Sequence, residues 1–136
     1  MRGLWMIYAA LVLVLLTAPA VAAQKSTPEA SVPKYDPAAE AIFKGTVVET
    51  KDHECPVSGG MGSHVVLKLA DGSTIEVHLA TTKWLKEYDE VFSKGDQIEV
   101  TGVKVKFQDV DTIFARQVKR GNDVFVFRYD NGKPAW

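Results

Sequence analysis

HVVLKLADGSTIEVHL, running from His64 to Leu79, decides how this chain folds. Val65, Leu67 and Leu69 alternate with outward positions, and Ile75, Val77 and Leu79 do the same. An apolar period of two marks half-buried strands. Directly opposed residues of an antiparallel pair share a face. A two-residue turn at Asp71-Gly72 would set Leu67 against Glu76, core against solvent. A three-residue loop, Ala70-Asp71-Gly72, sets Leu67 against Ile75 and Val65 against Val77, with Gly72 at the left-handed position such loops need. A one-residue slip turns a strand inside out, so the second register is expected. It places His64 directly opposite His78 on the outer face, with Glu76 and Lys68 further along.

The elements around this hairpin follow the same reading. Ile42 to Lys51 is a strand, and Gly45 within it suggests a bulge or sharp bend. Asp52 to Ser63 reads as a loop rich in Gly, Pro and Ser. Thr81 or Thr82 can cap a helix over Lys83 to Phe92, with Trp84, Tyr88 and Val91 on one face beside Leu85 and Phe92. Gln97 to Phe107, Thr112 to Lys119 and Asp123 to Tyr129 are further strands. The whole is all-β: an OB-fold-like Greek-key barrel of five to six strands, with one short helix between strands 3 and 4. Trp84 is expected to plug the barrel end and Trp136 to pack back on the barrel.

The ends bound the domain. Arg2, the apolar run Leu4–Leu16, Pro19 and the small residues Ala20 to Ala23 read as a signal peptide over residues 1–23. The alternative is an uncleaved anchor, since Leu4 to Ala23 approaches the ~20 residues that span a bilayer. Residues 24–37 read as a flexible linker with Pro28, Pro33 and Pro37. Residues 38–136 form the folded domain. Cleavage would leave a periplasmic or secreted bacterial protein of about 113 residues with no stable membrane insertion. Losing the leader removes Arg2 alone among the charges, moving the balance from 16 basic and 17 acidic residues to 15 and 17. That speaks against bulk phosphate binding, which draws on a basic excess. The single cysteine has no partner within the chain, so it is buried, a ligand, reactive, or half of an intermolecular bridge.

One window holds all the chemistry. Between His53 and His78 lie all three histidines, the only cysteine, Cys55, and the only methionine beyond the leader, Met61. Imidazole with soft sulfur favours copper or zinc. Zinc would take four ligands such as His53, Cys55, His64 and His78. Copper could use His64, His78 and Cys55 with Met61 as a weak fourth. The plainer alternative leaves the histidines as outer-face polar residues and Cys55 as a small plug. A different reading uses Lys68, Lys104, Lys106 and Arg116 as a basic stripe for an anionic glycan or single-stranded nucleic acid. No catalytic motif stands in a supporting context, so binding rather than catalysis is expected.

GSHVVLKLADGSTIEVHL, KGDQIEVTGVKVKF and GNDVFVFRYDNGKPAW together resemble a group of small secreted bacterial proteins of OB-fold type, largely uncharacterised. The resemblance covers Phe43 to Trp136. It implies the fold and the compartment. Envelope OB-folds related to this group bind nucleic acid, cell-wall glycans, or copper and silver. The Trp and paired-Met signature of the copper and silver metallochaperone is missing from this chain.

Overall fold

The computed structural model describes residues 32–89 and 92–136. The expected leader, most of the expected linker and Val91 therefore lie outside the described residues. After a short 3-10 turn, Pro37–Ala39, the chain forms β1 (Ala41–Cys55), β2 (Gly60–Leu69), β3 (Thr74–Thr81), α1 (Thr82–Glu87), β4 (Gln97–Phe107), β5 (Val110–Arg120) and β6 (Asp123–Val126). The strands run β3-β2-β1-β4-β5-β6 across one sheet, and β3 also pairs with β5. That pairing is parallel, whereas the other named strand pairs are antiparallel. It closes β1-β2-β3-β5-β4 into a ring, with β6 appended to β5. The architecture is all-β with one short helix between the third and fourth strands, as the sequence predicts.

The central hairpin keeps its predicted register. Leu67 opposes Ile75, Val65 opposes Val77, and His64 opposes His78. Gly72 takes φ 84°, the left-handed conformation the three-residue loop demands. Val47, Val65, Leu67, Val77, Val100, Ile113, Val118 and Phe127 fill the ring interior, each with essentially no exposed surface. Each such side chain contributes about 1.5–3 kcal/mol by leaving water.

Several boundaries differ from the sequence reading. Most of the expected Asp52–Ser63 loop is strand, because β1 and β2 pair as far as Cys55 and Gly60. Only Pro56 to Gly59 turns. Helix α1 ends at Glu87, well short of Phe92, which is buried outside it. Thr81 caps the helix by accepting from the Trp84 amide. Trp84 packs on the edge of the core against Phe127, and Trp136 folds back on the sheet as expected. Tyr35 is already packed, its hydroxyl donating to Glu40 at 2.6 Å, so ordered contacts begin ahead of Ala38.

Gly45 does not mark the bulge. Its role is close approach: a Cβ there would run into the carbonyl oxygen of Lys68. The bulge falls at Val48, between the pairs Val47↔Leu67 and Glu49↔Val66. Its consequence reaches the site. Val47 faces the core, so uninterrupted alternation would turn Lys51, His53 and Cys55 inward too. The extra residue inverts the phase. Lys51, His53 and Cys55 therefore share the outer face with His64.

Candidate metal centre

Strand register gathers the site. Lys51 opposes His64, His53 opposes Gly62, and Cys55 opposes Gly60 across the β1–β2 pair. His78 opposes His64 across β2–β3, and Glu76 lies two residues back on the same face. Because Gly62 carries no side chain, the His53 ring lies over His64 with centroids 4.1 Å apart. His64 meets His78 edge-on at 4.9 Å.

This outer face is not open to solvent. Cys55, Phe107 and Phe114 form a second apolar cluster over it, joined by Tyr35, Val57 and Val105. Trp136 and Phe114 pack on the His78 ring. Exposure is 4% for Cys55, 4% for His64 and 1% for His78. The sequence reading expected a solvent-facing pair; the Pro56–Gly59 turn and the C-terminal tail bury it instead. Burial of this kind fits a ligand-holding cluster and overturns the picture of idle surface histidines.

Buried polar atoms ordinarily find hydrogen-bond partners. Here His64 Nε2 and His78 Nδ1 lack one among the described residues. Glu76 Oε1 stands 2.8 Å from His64 Nδ1 as its ion-pair partner. His78 Nε2 shares a 2.8 Å hydrogen bond with Ser58 Oγ. A Cβ on Gly62 would lie 2.5 Å from Ser58 Oγ, 3.2 Å from Cys55 Cβ and 3.3 Å from His64 Nε2. Gly62 thus leaves a small hollow into which these groups converge.

Two ligand groups overlap at His64. Cys55, His64 and His78 are all buried; in the second group buried His64 is joined by exposed His53 and half-buried Glu76. In each group the ligand atoms lie within 4.8 Å of one another. Ligand bonds to zinc of about 2.0–2.3 Å bring such atoms closer together than this. Modest side-chain rotation would close either group on an ion. A cleft of about 180 Å³ opens above both, lined by His53, Cys55, His64 and Glu76 with Phe107 and Gln108 from the β4–β5 hairpin.

The protonation states suit metal ligation. Burial, reinforced by the neighbouring His53, holds His64 down to about 4. Burial, with the charges of His64 and Arg128 nearby, holds His78 down to about 3. Both rings are neutral at neutral pH, as ligation requires. His53 is raised, first by its hydrogen bond to the Glu54 carbonyl and then by Glu76. Its Nδ1 and Nε2 face those two acceptors at 3.0 Å each, which the doubly protonated ring satisfies. Burial pushes Glu76 up, but the His53 hydrogen bond and the surrounding charges outweigh it and hold the carboxyl below its usual range.

Met61 does not join the others. It is 46% exposed and lines a surface hollow with Asp52, Thr82 and Lys86, on the opposite face of β2. Strand alternation makes this unavoidable once His64 and Gly62 face the site. Ser58 and Gly62 belong to the site although sequence reasoning did not select them, and nothing in the sequence marks Ser58. Alternation places Glu76 on this face, without counting it among the metal ligands.

The basic stripe is not assembled. Arg116 is bound by Glu40 at 2.5 and 3.2 Å, and Lys104 pairs with Asp111 at 3.8 Å. Lys68 lies beside Thr46 near the start of β4, whereas Lys104 and Lys106 lie towards its far end. Of the aromatics on these strands, Phe107, Phe114 and Phe127 are buried, leaving Tyr129 exposed.

Fold and site together define a small all-β domain with a buried imidazole–thiol cluster at one rim. The chain belongs to the MamS/MamX magnetosome protein family, matching it over residues 40–125. This match takes in β1 to β5 and the whole cluster. It agrees with a small bacterial protein. No curated protein matches the chain. No helix among the described residues is long and apolar enough to cross a membrane.

Proposed function

We propose that this magnetosome-family protein is a non-enzymatic metal-binding module that holds copper or zinc through Cys55, His64 and His78. The observation that carries the reading is a pair of nearly fully buried histidines, with His64 Nε2 and His78 Nδ1 unpartnered among the described residues, beside the only cysteine. Leaving buried polar atoms unpaired costs about 1–3 kcal/mol per group. An ion in the cluster would offset that cost. Thiolate with two imidazoles suits copper and zinc and disfavours magnesium and calcium. Ser58 Oγ is the nearest further donor and takes the place that sequence reasoning gave to Met61. His53 belongs to the outer group.

The site faces the periplasm in this reading. Its partner is the ion itself; an envelope glycan or oligonucleotide is the competing class. Titration of the reduced domain with Cu(I) and Zn(II) against competing chelators tests the proposal. One-to-one binding that disappears in the His64→Ala, His78→Ala double variant is expected. Binding that persists in that variant, or salt-sensitive polyanion binding lost only on Lys104→Glu and Lys106→Glu, would overturn it.

A further inference from the structure

His64 is the one residue common to both ligand groups, and its two nitrogens face different neighbours. Nδ1 looks towards Glu76 Oε1, 2.8 Å away. Nε2 looks into the hollow over Gly62, beside Cys55. Exposure falls steadily across the ring, with side chains 46% exposed at His53, 25% at Glu76 and 4% at His64, down to 1% for His78. The chemistry changes in the same direction. The outer group offers two imidazoles and a carboxylate, while the inner group offers two imidazoles and a thiolate.

We propose that His64 serves two metal stations in turn: an outer one with His53 and Glu76 that captures the ion from the cleft, and an inner one with Cys55 and His78 that retains it. The inference rests on the metal-binding reading above and extends it to the route of loading. The inner ligands are nearly fully buried, and the cleft that reaches Cys55 and His64 passes the outer group, so a hydrated ion meets His53 and Glu76 on its way in. The outer group meets solvent through the cleft and carries the negative charge of Glu76. An ion held there by His64 is already bonded to a ring that also borders the inner hollow. Transfer exchanges the bonds to Glu76, His53 and His64 Nδ1 for bonds to Cys55 Sγ, His78 and His64 Nε2. His53 gives a ring proton to solvent on capture; on transfer the Cys55 thiol gives up its proton as its bond to the metal forms, and His53 takes a proton back and regains its hydrogen bond to Glu76.

Stopped-flow mixing of the full metal-free domain with Co(II) separates the stations, because only the inner one gives a sulfur-to-metal charge-transfer band. The wild-type protein is expected to show a fast phase without that band, followed by its growth at a rate independent of Co(II) concentration. His53→Ala and Glu76→Gln, made separately, should each lose the fast phase. Each should also slow the growth of the band while leaving its final amplitude unchanged. Glu87→Gln removes an exposed carboxylate on α1, away from the cleft, and should leave both phases as they are. Unaltered rates in His53→Ala and Glu76→Gln, or equal slowing in Glu87→Gln, would overturn the two-station route. A wild-type protein that never develops the band would instead overturn the metal-binding reading itself.

Discussion

Two neutral, buried imidazoles make the metal-free fold sensitive to mild acid. In the folded chain His64 is held at about 4 and His78 at about 3, against 6.5 for an unhindered histidine. The unfolded chain therefore binds protons that the folded chain refuses. Stability is fully present above pH 6.5 and is lost as pH falls from there towards 4 and 3. At pH 5 each ring accounts for about 2 kcal/mol, from about 1.4 kcal/mol per pKa unit over the window crossed. Together they remove about 4 kcal/mol between pH 8 and pH 5, a large part of the 5–15 kcal/mol that stabilises an ordinary domain. His53 acts with the opposite sign, its raised value favouring the folded state as pH falls. The lowered carboxyls of Glu40 and Glu76 withdraw stability only in the carboxylate range below that window. Urea unfolding of the chelated domain at pH 5 to 8 measures the slope. The His64→Leu, His78→Leu double variant should lose most of it and be the more stable protein at pH 5, since apolar side chains replace unpartnered buried nitrogens. A wild-type profile flat from pH 8 to 5, or an equal slope in the double variant, would refute the reasoning.

Gly62→Ala should place a methyl in the hollow between Ser58, Cys55 and His64, destabilising the fold by about 1–3 kcal/mol and weakening metal binding; thermal melts and chelator competition read the two effects. Met61→Ala should leave metal affinity unchanged, because that side chain lies on the other face of β2; a loss in the same competition assay would restore it as a ligand. Gly45→Ala should cost about 1–3 kcal/mol by forcing β1 away from the Lys68 carbonyl, seen as a lowered urea midpoint with the slope retained. Thr81→Ala should cost about 1 kcal/mol by removing the α1 cap.

Much of the fold was legible because local pattern and global pairing agree in the central hairpin. Val65, Leu67, Ile75 and Val77 admit one register, and that register alone brings His64 to His78. The helix was over-extended because the spacing of Trp84, Tyr88 and Phe92 fits a continuing turn, whereas Phe92 enters the core from outside the helix. Alternation could not reveal the bulge at Val48, since either phase of β1 leaves a plausible strand. That bulge is what carries His53 and Cys55 to the ligand face. The burial of the site was hidden for a different reason. It depends on Phe114, Trp136 and the Pro56–Gly59 turn, which come together only once β5 and the C-terminal tail are in place. The pairing of Arg116 was hidden too: Glu40 is distant from it in sequence, and nothing local announces their contact.

The nearest test of the central claim is X-ray absorption on the zinc-loaded domain. A shell of one sulfur at about 2.3 Å and at least two imidazole nitrogens at about 2.0–2.1 Å, with the sulfur lost in Cys55→Ser, is the predicted result. A shell of nitrogen and oxygen alone in the wild-type protein would contradict it.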